Sequence, residues 1–253
     1  MTRVNVRVVS YRDRPELDDT WDEVVGPAWP EFMLHDATVN EHWGLLYEEF
    51  PDCQLYLVDT STDEVLAQAN AVPLRWDGTA EDLPDDGVDG ILRRVATEQV
   101  GRATPTSLCA LQAVVKRGFR RRGLSGRVID GMAEIALAHG LADLIAPVRP
   151  NEKPRYPLTP IERYVAWTRD DGLPSDPWLR VHTRLGAEIV KLAPRSMTIA
   201  GTVAEWEQWT GIPFPESGIY IVPDALVPVE IDRESDRGTY IEPNVWMRHR
   251  LSD

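Results

Sequence analysis

Cysteine is nearly absent: the chain has only Cys53 and Cys109, far apart in sequence. Two such residues make neither a disulfide framework nor a cysteine metal site, which points to a reducing, cytoplasmic setting. Long apolar runs are also missing. No stretch approaches the ~20 apolar residues that a membrane helix requires, and the N-terminus is strand-like, without the apolar core of a signal peptide. Positive charge is in the minority, with 27 Lys and Arg against 41 Asp and Glu and a net charge of −14. That balance argues against a general nucleic-acid or membrane-surface binder. It is compatible with a cationic acceptor such as an amine, and equally with a surface whose charge only keeps the chain in solution. No G-x-G-x-x-G lies early in the chain, which excludes a Rossmann-type nucleotide site. Internal repeats, low-complexity tracts and flexible linkers are lacking too, so residues 1–253 read as one elaborated domain.

Against the acidic background, Arg120-Arg121-Arg122-Gly123-Leu124-Ser125-Gly126 is an anomaly. An apolar segment, 108–115, precedes it. Leu124, Val128, Met132 and Ile135 follow at helical spacing, and Gly140 ends the pattern. Strand, basic glycine turn and helix form an anion-binding device, because a helix N-terminus presents free N–H groups and a partial positive charge. The same pattern also describes an ordinary strand-to-helix turn with a solvated basic run.

The rest of the chain alternates short strands and helices. A strand is expected over 4–11, helices after Pro15 and over 40–50, a strand pair over 53–58 and 65–74, and a helix over 91–100. Residues 141–148 read as a buried parallel strand containing Pro147, which suits a strand that has lost a neighbour or an edge strand. Residues 187–192 and 196–201 read as strands. Thr202-Val203-Ala204-Glu205 is a capping box opening a short helix. A strand pair is expected over 219–222 and 226–231. The aromatic tail 238–250 must pack, either in its own subunit or across a homodimer.

The segment Val115-Lys116-Arg117-Gly118-Phe119-Arg120-Arg121-Arg122-Gly123-Leu124-Ser125 resembles motif A, Q/R-x-x-G-x-G/A, of the GCN5-related N-acetyltransferase (GNAT) superfamily. Arg120 fills the first place, Gly123 the central glycine and Ser125 the last small place. The order of elements around it agrees: one strand, two helices, then a three-strand meander. The resemblance implies an α/β (α+β) fold, with a mixed, mostly antiparallel sheet whose fourth and fifth strands splay apart. It places insertions at about 77–100 and 149–177 and a C-terminal extension at about 202–253.

The resemblance also implies an acyl-CoA-dependent N-acyltransferase. Acetyl-CoA would be the donor and a small-molecule amine the acceptor, attacking directly. Backbone amides of Arg121, Arg122, Gly123, Leu124, Ser125 and Gly126 would hold the pyrophosphate, with charge from Arg120 and Arg122. A backbone N–H among Gln112, Ala113, Val114 and Val115 would polarise the thioester. Trp29 and Phe32 fall where the family places its acceptor pocket, and a small aromatic core cluster describes them equally well. Many relatives carry a glutamate base where this chain has Gln112, which leaves Glu31 and His35 as base candidates by position. His182-Thr183-Arg184-Leu185-Gly186-Ala187 resembles Y-x-x-x-G-F, with His182 where the family's tyrosine protonates the leaving thiolate. An imidazolium suits that task, and simple packing at a helix end is the other reading. These departures leave room for two alternatives: a GNAT-fold protein that binds acyl-CoA without acetyl transfer, as a sensor or interaction module, and a transferase with another acyl donor.

Overall fold

A computed structural model describes residues 4–97 and 104–251. The ends of the expected helix 91–100 and of insertion 77–100 lie outside the described residues, as do residues 1–3. Strand β1 (Val6–Ser10) is followed by short helices, α1 (Trp21–Val24), α2 (Ala37–His42) and α3 (Gly44–Glu49). The single helix expected over 40–50 is thus two, broken at Trp43. β2 (Gln54–Asp59) and β3 (Val65–Leu74) lead to α4 (Gly87–Thr97). β4 (Ser107–Val115), α5 (Leu124–Ala138) and β5 (Asp143–Val148) are the strand–helix–strand unit read from the basic turn. Then come α6 (Ile161–Val165), α7 (Pro177–Arg184), β6 (Glu188–Gly201), α8 (Val203–Thr210), β7 (Gly218–Tyr220), β8 (Val229–Asp232) and β9 (Arg237–Arg250).

The nine strands form one sheet in the order β1-β2-β3-β4-β5-β9-β8-β7, with β6 on β9. Strands β1 to β4 are antiparallel neighbours. β4 and β5 are parallel but pair only from Ser107↔Asp143 to Cys109↔Ile145. Beyond that point β4 continues to Val115 and β5 to Val148 without pairing to each other, so the sheet is split at its middle. Pro147 lies on the split, while its other side pairs with Trp246. It therefore belongs to a strand that has lost one neighbour, and its missing N–H leaves no donor orphaned.

The aromatic tail, expected to pack in its own subunit or across a homodimer, packs within its own subunit as β9. β9 lies between β5 and β6, antiparallel to both. Its residues Tyr240, Val245, Trp246 and Met247 are fully buried, and burial of side chains of this size stabilises by roughly 1.5–3 kcal/mol each. The two strands expected over 187–201 are a single strand, β6, whose register shifts twice along β9. The capping box at Thr202 and Glu205 is present as read.

A small apolar cluster joins Val9, Val24, Tyr56 and Val114, and two larger ones cover the two faces. One packs α5 and α7 on the sheet through Leu124, Val128, Met132 and Leu179. The other packs α4, α8 and the 29–35 segment through Phe32, Leu46, Ile91 and Trp206.

Candidate active site

Directly after β4 the chain makes a short turn at Arg117–Phe119 and then takes left-handed backbone at Arg121 (φ 63°) and Gly123 (φ 80°). Gly123 is the N-cap of α5 and no side chain caps it. The N–H groups of Leu124, Ser125 and Gly126 therefore precede the first helical hydrogen bond, from Arg127 N to the Gly123 carbonyl at 3.4 Å. Unpaired amides on a 15-residue helix form an anion site. A Cβ placed on Gly123 would meet no heavy atom within 4 Å, so the turn is open to a ligand. Arg120, Arg121 and Arg122 are exposed around it. Arg122 lies over the Phe119 ring at 5.0 Å, which holds its charge near the turn. Lys116, by contrast, is spent on Glu23 and Glu64, each at 2.9 Å. The turn fits a pyrophosphate.

On the opposite face of the sheet, β4 carries a bulge where its register with β3 shifts between Asn70 and Ala71. Next to the bulge, the Gln112 amide is hydrogen-bonded at both its oxygen and its nitrogen. It accepts from the Trp29 indole N–H at 3.0 Å and donates to Asn70 Oδ1 at 2.8 Å. Asn70 in turn donates to Tyr47 Oη and to Gln54 Oε1. Gln112 thus links Trp29 to Asn70, and an amide, unlike a carboxylate, is no general base.

Trp29 also lies beneath the Arg149 guanidinium, 5.8 Å from it. Arg149 is the first residue after β5. Trp29 therefore touches Gln112 on one lip of the split and Arg149 on the other. Arg149 Nε donates to both oxygens of Glu242 at 3.0 and 2.9 Å, and Nη2 donates to the Asp224 carbonyl at 2.7 Å. Glu242 is fully buried and also accepts from the Tyr240 hydroxyl at 2.8 Å. Burial, together with that carboxylate, pushes the Tyr240 phenol far above its ordinary pKa. None of Arg149, Glu242 or Tyr240 stands out in the sequence as a site residue. The available signal was period two: Tyr240, Glu242, Asn244 and Trp246 share one face of a strand, and an acid there must be buried with a partner.

The other sequence candidates fall elsewhere. Phe32 is a core residue, 5.6 Å from Trp206 and 5.2 Å from Tyr240 between ring centres, and only 2% exposed. Phe32 thus packs in an aromatic core cluster, while Trp29 lies beside Gln112 and Arg149. Glu31 and His35 pair with each other at 3.1 Å, and His35 stacks on Trp209 of α8 at 4.2 Å. His35 thus reaches α8, and neither side chain hydrogen-bonds to β4 or β5 among the described residues.

His182 departs from the imidazolium expected of it. It is 3% exposed, and its Nδ1 is 2.9 Å from His249 Nε2. Burial, reinforced by His249, pushes its pKa down to about 3. A ring that is neutral at pH 7 is no imidazolium acid. His249 is also lowered, by burial first, with the Leu185 backbone acting in the opposite direction. His182 Nε2 is buried and has no hydrogen-bond partner among the described residues.

Among the described residues, no group of three or more His, Cys, Asp or Glu could hold a metal ion. No helix among them is long and apolar enough to cross a membrane. No family model matches the chain. A curated relative, the arginine N-acetyltransferase avaD of Aspergillus versicolor, is 33% identical over 267 residues, spanning 94% of this chain and 91% of the relative. The chain belongs to the GNAT superfamily. It is an acyltransferase with an acyl-CoA as its cofactor. Solved structures agree on the GNAT fold. The loading GNATL domain of CurA from Lyngbya majuscula superposes with a TM-score of 0.61 at 17% identity, over 99% of this chain and 98% of that one. The GphF GNAT-like decarboxylase, solved with isobutyryl-CoA, has a TM-score of 0.55 at 14% identity over 98% and 100%.

Proposed function

We propose that this GNAT protein is an acetyl-CoA-dependent N-acetyltransferase of a small-molecule amine, with arginine as the first acceptor to test. The observation that carries the reading is the split between β4 and β5 with the open Gly123 turn at the end of β4. The relative named above is an arginine N-acetyltransferase, which supports both the donor and the acceptor.

The bound donor supplies an activated acyl thioester. The amides of Leu124, Ser125 and Gly126, with Arg120 and Arg122, hold its pyrophosphate by charge-assisted hydrogen bonds. Backbone N–H groups between Gln112 and Val115 face the split and serve as donors to a developing oxyanion. No carboxylate on β4 stands ready as a base, because that place is Gln112. An amine that arrives neutral needs little base assistance. The buried neutral His182 leaves the thiolate to be protonated from solvent.

Purified protein with acetyl-CoA and arginine, followed by free-thiol release and by mass spectrometry of the arginine, tests this. The expected product is arginine heavier by one acetyl group. Tight coenzyme A binding with no thiol release over arginine and a panel of other amines would overturn it and favour an acyl-CoA sensor.

A further inference from the structure

We propose that Arg149 binds a carboxylate of the acceptor, so that the substrates of this protein are amino acids and not amines in general. The proposal rests on the acetyltransferase reading above and names the feature of the acceptor that the site recognises.

Four observations support it. Arg149 follows β5 immediately and reaches the Trp29 ring, which is bonded to Gln112 of β4. Its guanidinium is therefore at the mouth of the split where an acceptor must enter. Second, the fork is held from behind. Glu242 takes the Nε edge, the Asp224 carbonyl takes Nη2, and the Tyr240 hydroxyl also lies against the guanidinium, while the side chain keeps 20% of its surface exposed. An arginine held from behind in this way, with part of its surface exposed, is preorganised for a planar anion, with little side-chain entropy left to lose.

Third, the local charge does not cancel. Lys153 is fully buried, and its ammonium donates to the Tyr156 carbonyl at 2.9 Å and the Leu226 carbonyl at 2.6 Å. No carboxylate pairs with it among the described residues. Arg149 and Lys153 pin the same 224–226 loop, and Leu226 N donates to the Tyr240 hydroxyl that serves Glu242. Two cations and one carboxylate thus share one buried network, which is short of one negative charge. Uncompensated buried charge is costly, and an entering carboxylate relieves it. Fourth, burial lowers the Lys153 pKa to about 8, which leaves it mainly charged at neutral pH.

The test compares L-arginine with L-argininamide, which keeps the α-amine and guanidinium but replaces the carboxylate by a neutral amide. Wild-type protein is expected to show a kcat/KM about 10- to 100-fold lower for argininamide, with the loss in acceptor KM and the acetyl-CoA KM unchanged. Arg149→Met should reduce the arginine value by a similar factor and make the two acceptors equivalent, and Arg149→Lys should recover part of the preference. Because Arg149→Met leaves Glu242 buried and unpaired, the double variant Arg149→Met/Glu242→Gln removes both charges of that pair and keeps a group that can accept from the Tyr240 hydroxyl. Equal use of the two acceptors by wild type, or a preference that survives in the folded double variant, would overturn the proposal. If wild type releases no thiol with either compound, the acetyltransferase reading has failed, and calorimetric titration of the coenzyme A-loaded protein with both compounds decides this one alone. Arginine binding that is weak for argininamide and lost in the double variant supports it; no arginine binding sinks it.

Discussion

Trp29 and Gln112 are 83 residues apart in sequence, yet the indole N–H of one donates to the amide oxygen of the other at 3.0 Å. That bond ties the segment before α2 to the free half of β4. It also fixes the ring that Arg149 rests on.

Trp29→Phe should therefore weaken acceptor recognition without unfolding the protein. The lost hydrogen bond is of the order of 1 kcal/mol, which corresponds to an acceptor KM about five times higher. The acetyl-CoA KM should stay the same. Steady-state kinetics with each substrate varied in turn checks this.

Gly123 has a left-handed backbone and open space where a Cβ would be. Gly123→Asp costs about 1–2 kcal/mol in backbone strain and puts a carboxylate where the pyrophosphate is expected. The variant should unfold cooperatively, only a few degrees lower, and lose coenzyme A binding by calorimetry. Unchanged affinity would remove the turn from the donor site.

His182 makes a prediction about acid. Its folded pKa of about 3 lies below the ordinary histidine value of about 6.5. The unfolded chain therefore takes up a proton between those values while the folded chain does not. The stability tied to neutral His182 is present above about pH 6.5 and is lost as pH falls toward 3. His182→Phe should flatten the acid limb of a plot of melting temperature against pH. It should also keep turnover within a few-fold of wild type; a loss of several hundred-fold with unchanged binding would return the ring to catalysis.

Asp89 makes the opposite prediction. Asp36 and Asp89 both accept from the Thr198 N–H, at 3.2 and 3.1 Å, and both are buried. Burial first, and then the Asp36 charge, raise Asp89 to about 8; burial also raises Asp36. The folded protein holds a proton that the unfolded chain releases above the ordinary carboxylate pKa of about 3.9. Stability from this pair is thus complete below about pH 4 and falls as pH rises toward 8. Asp89→Asn should raise the melting temperature more at pH 8 than at pH 5, and equal shifts at both would show that the carboxyl is ionised in the folded state.

Local features were legible in the sequence. The basic turn, the helix starting at Leu124, the capping box at Thr202 and the strand holding Pro147 are each set by neighbours within a few residues, through backbone conformation and hydrophobic period. The tertiary structure alone decided where the tail went and what the side chains of the split do. β9 inserts between β5 and β6, a pairing fixed by long-range register that no local period encodes. That insertion delivers Glu242 to Arg149, 93 residues away in sequence, and His249 to His182, 67 away. The charge and protonation of those four groups depend on burial and on each other, and neither exists until the sheet has closed around them. The sequence by itself thus determined the basic turn proposed to hold the donor, whereas the residues proposed to face the acceptor became identifiable only once the last strand was in place.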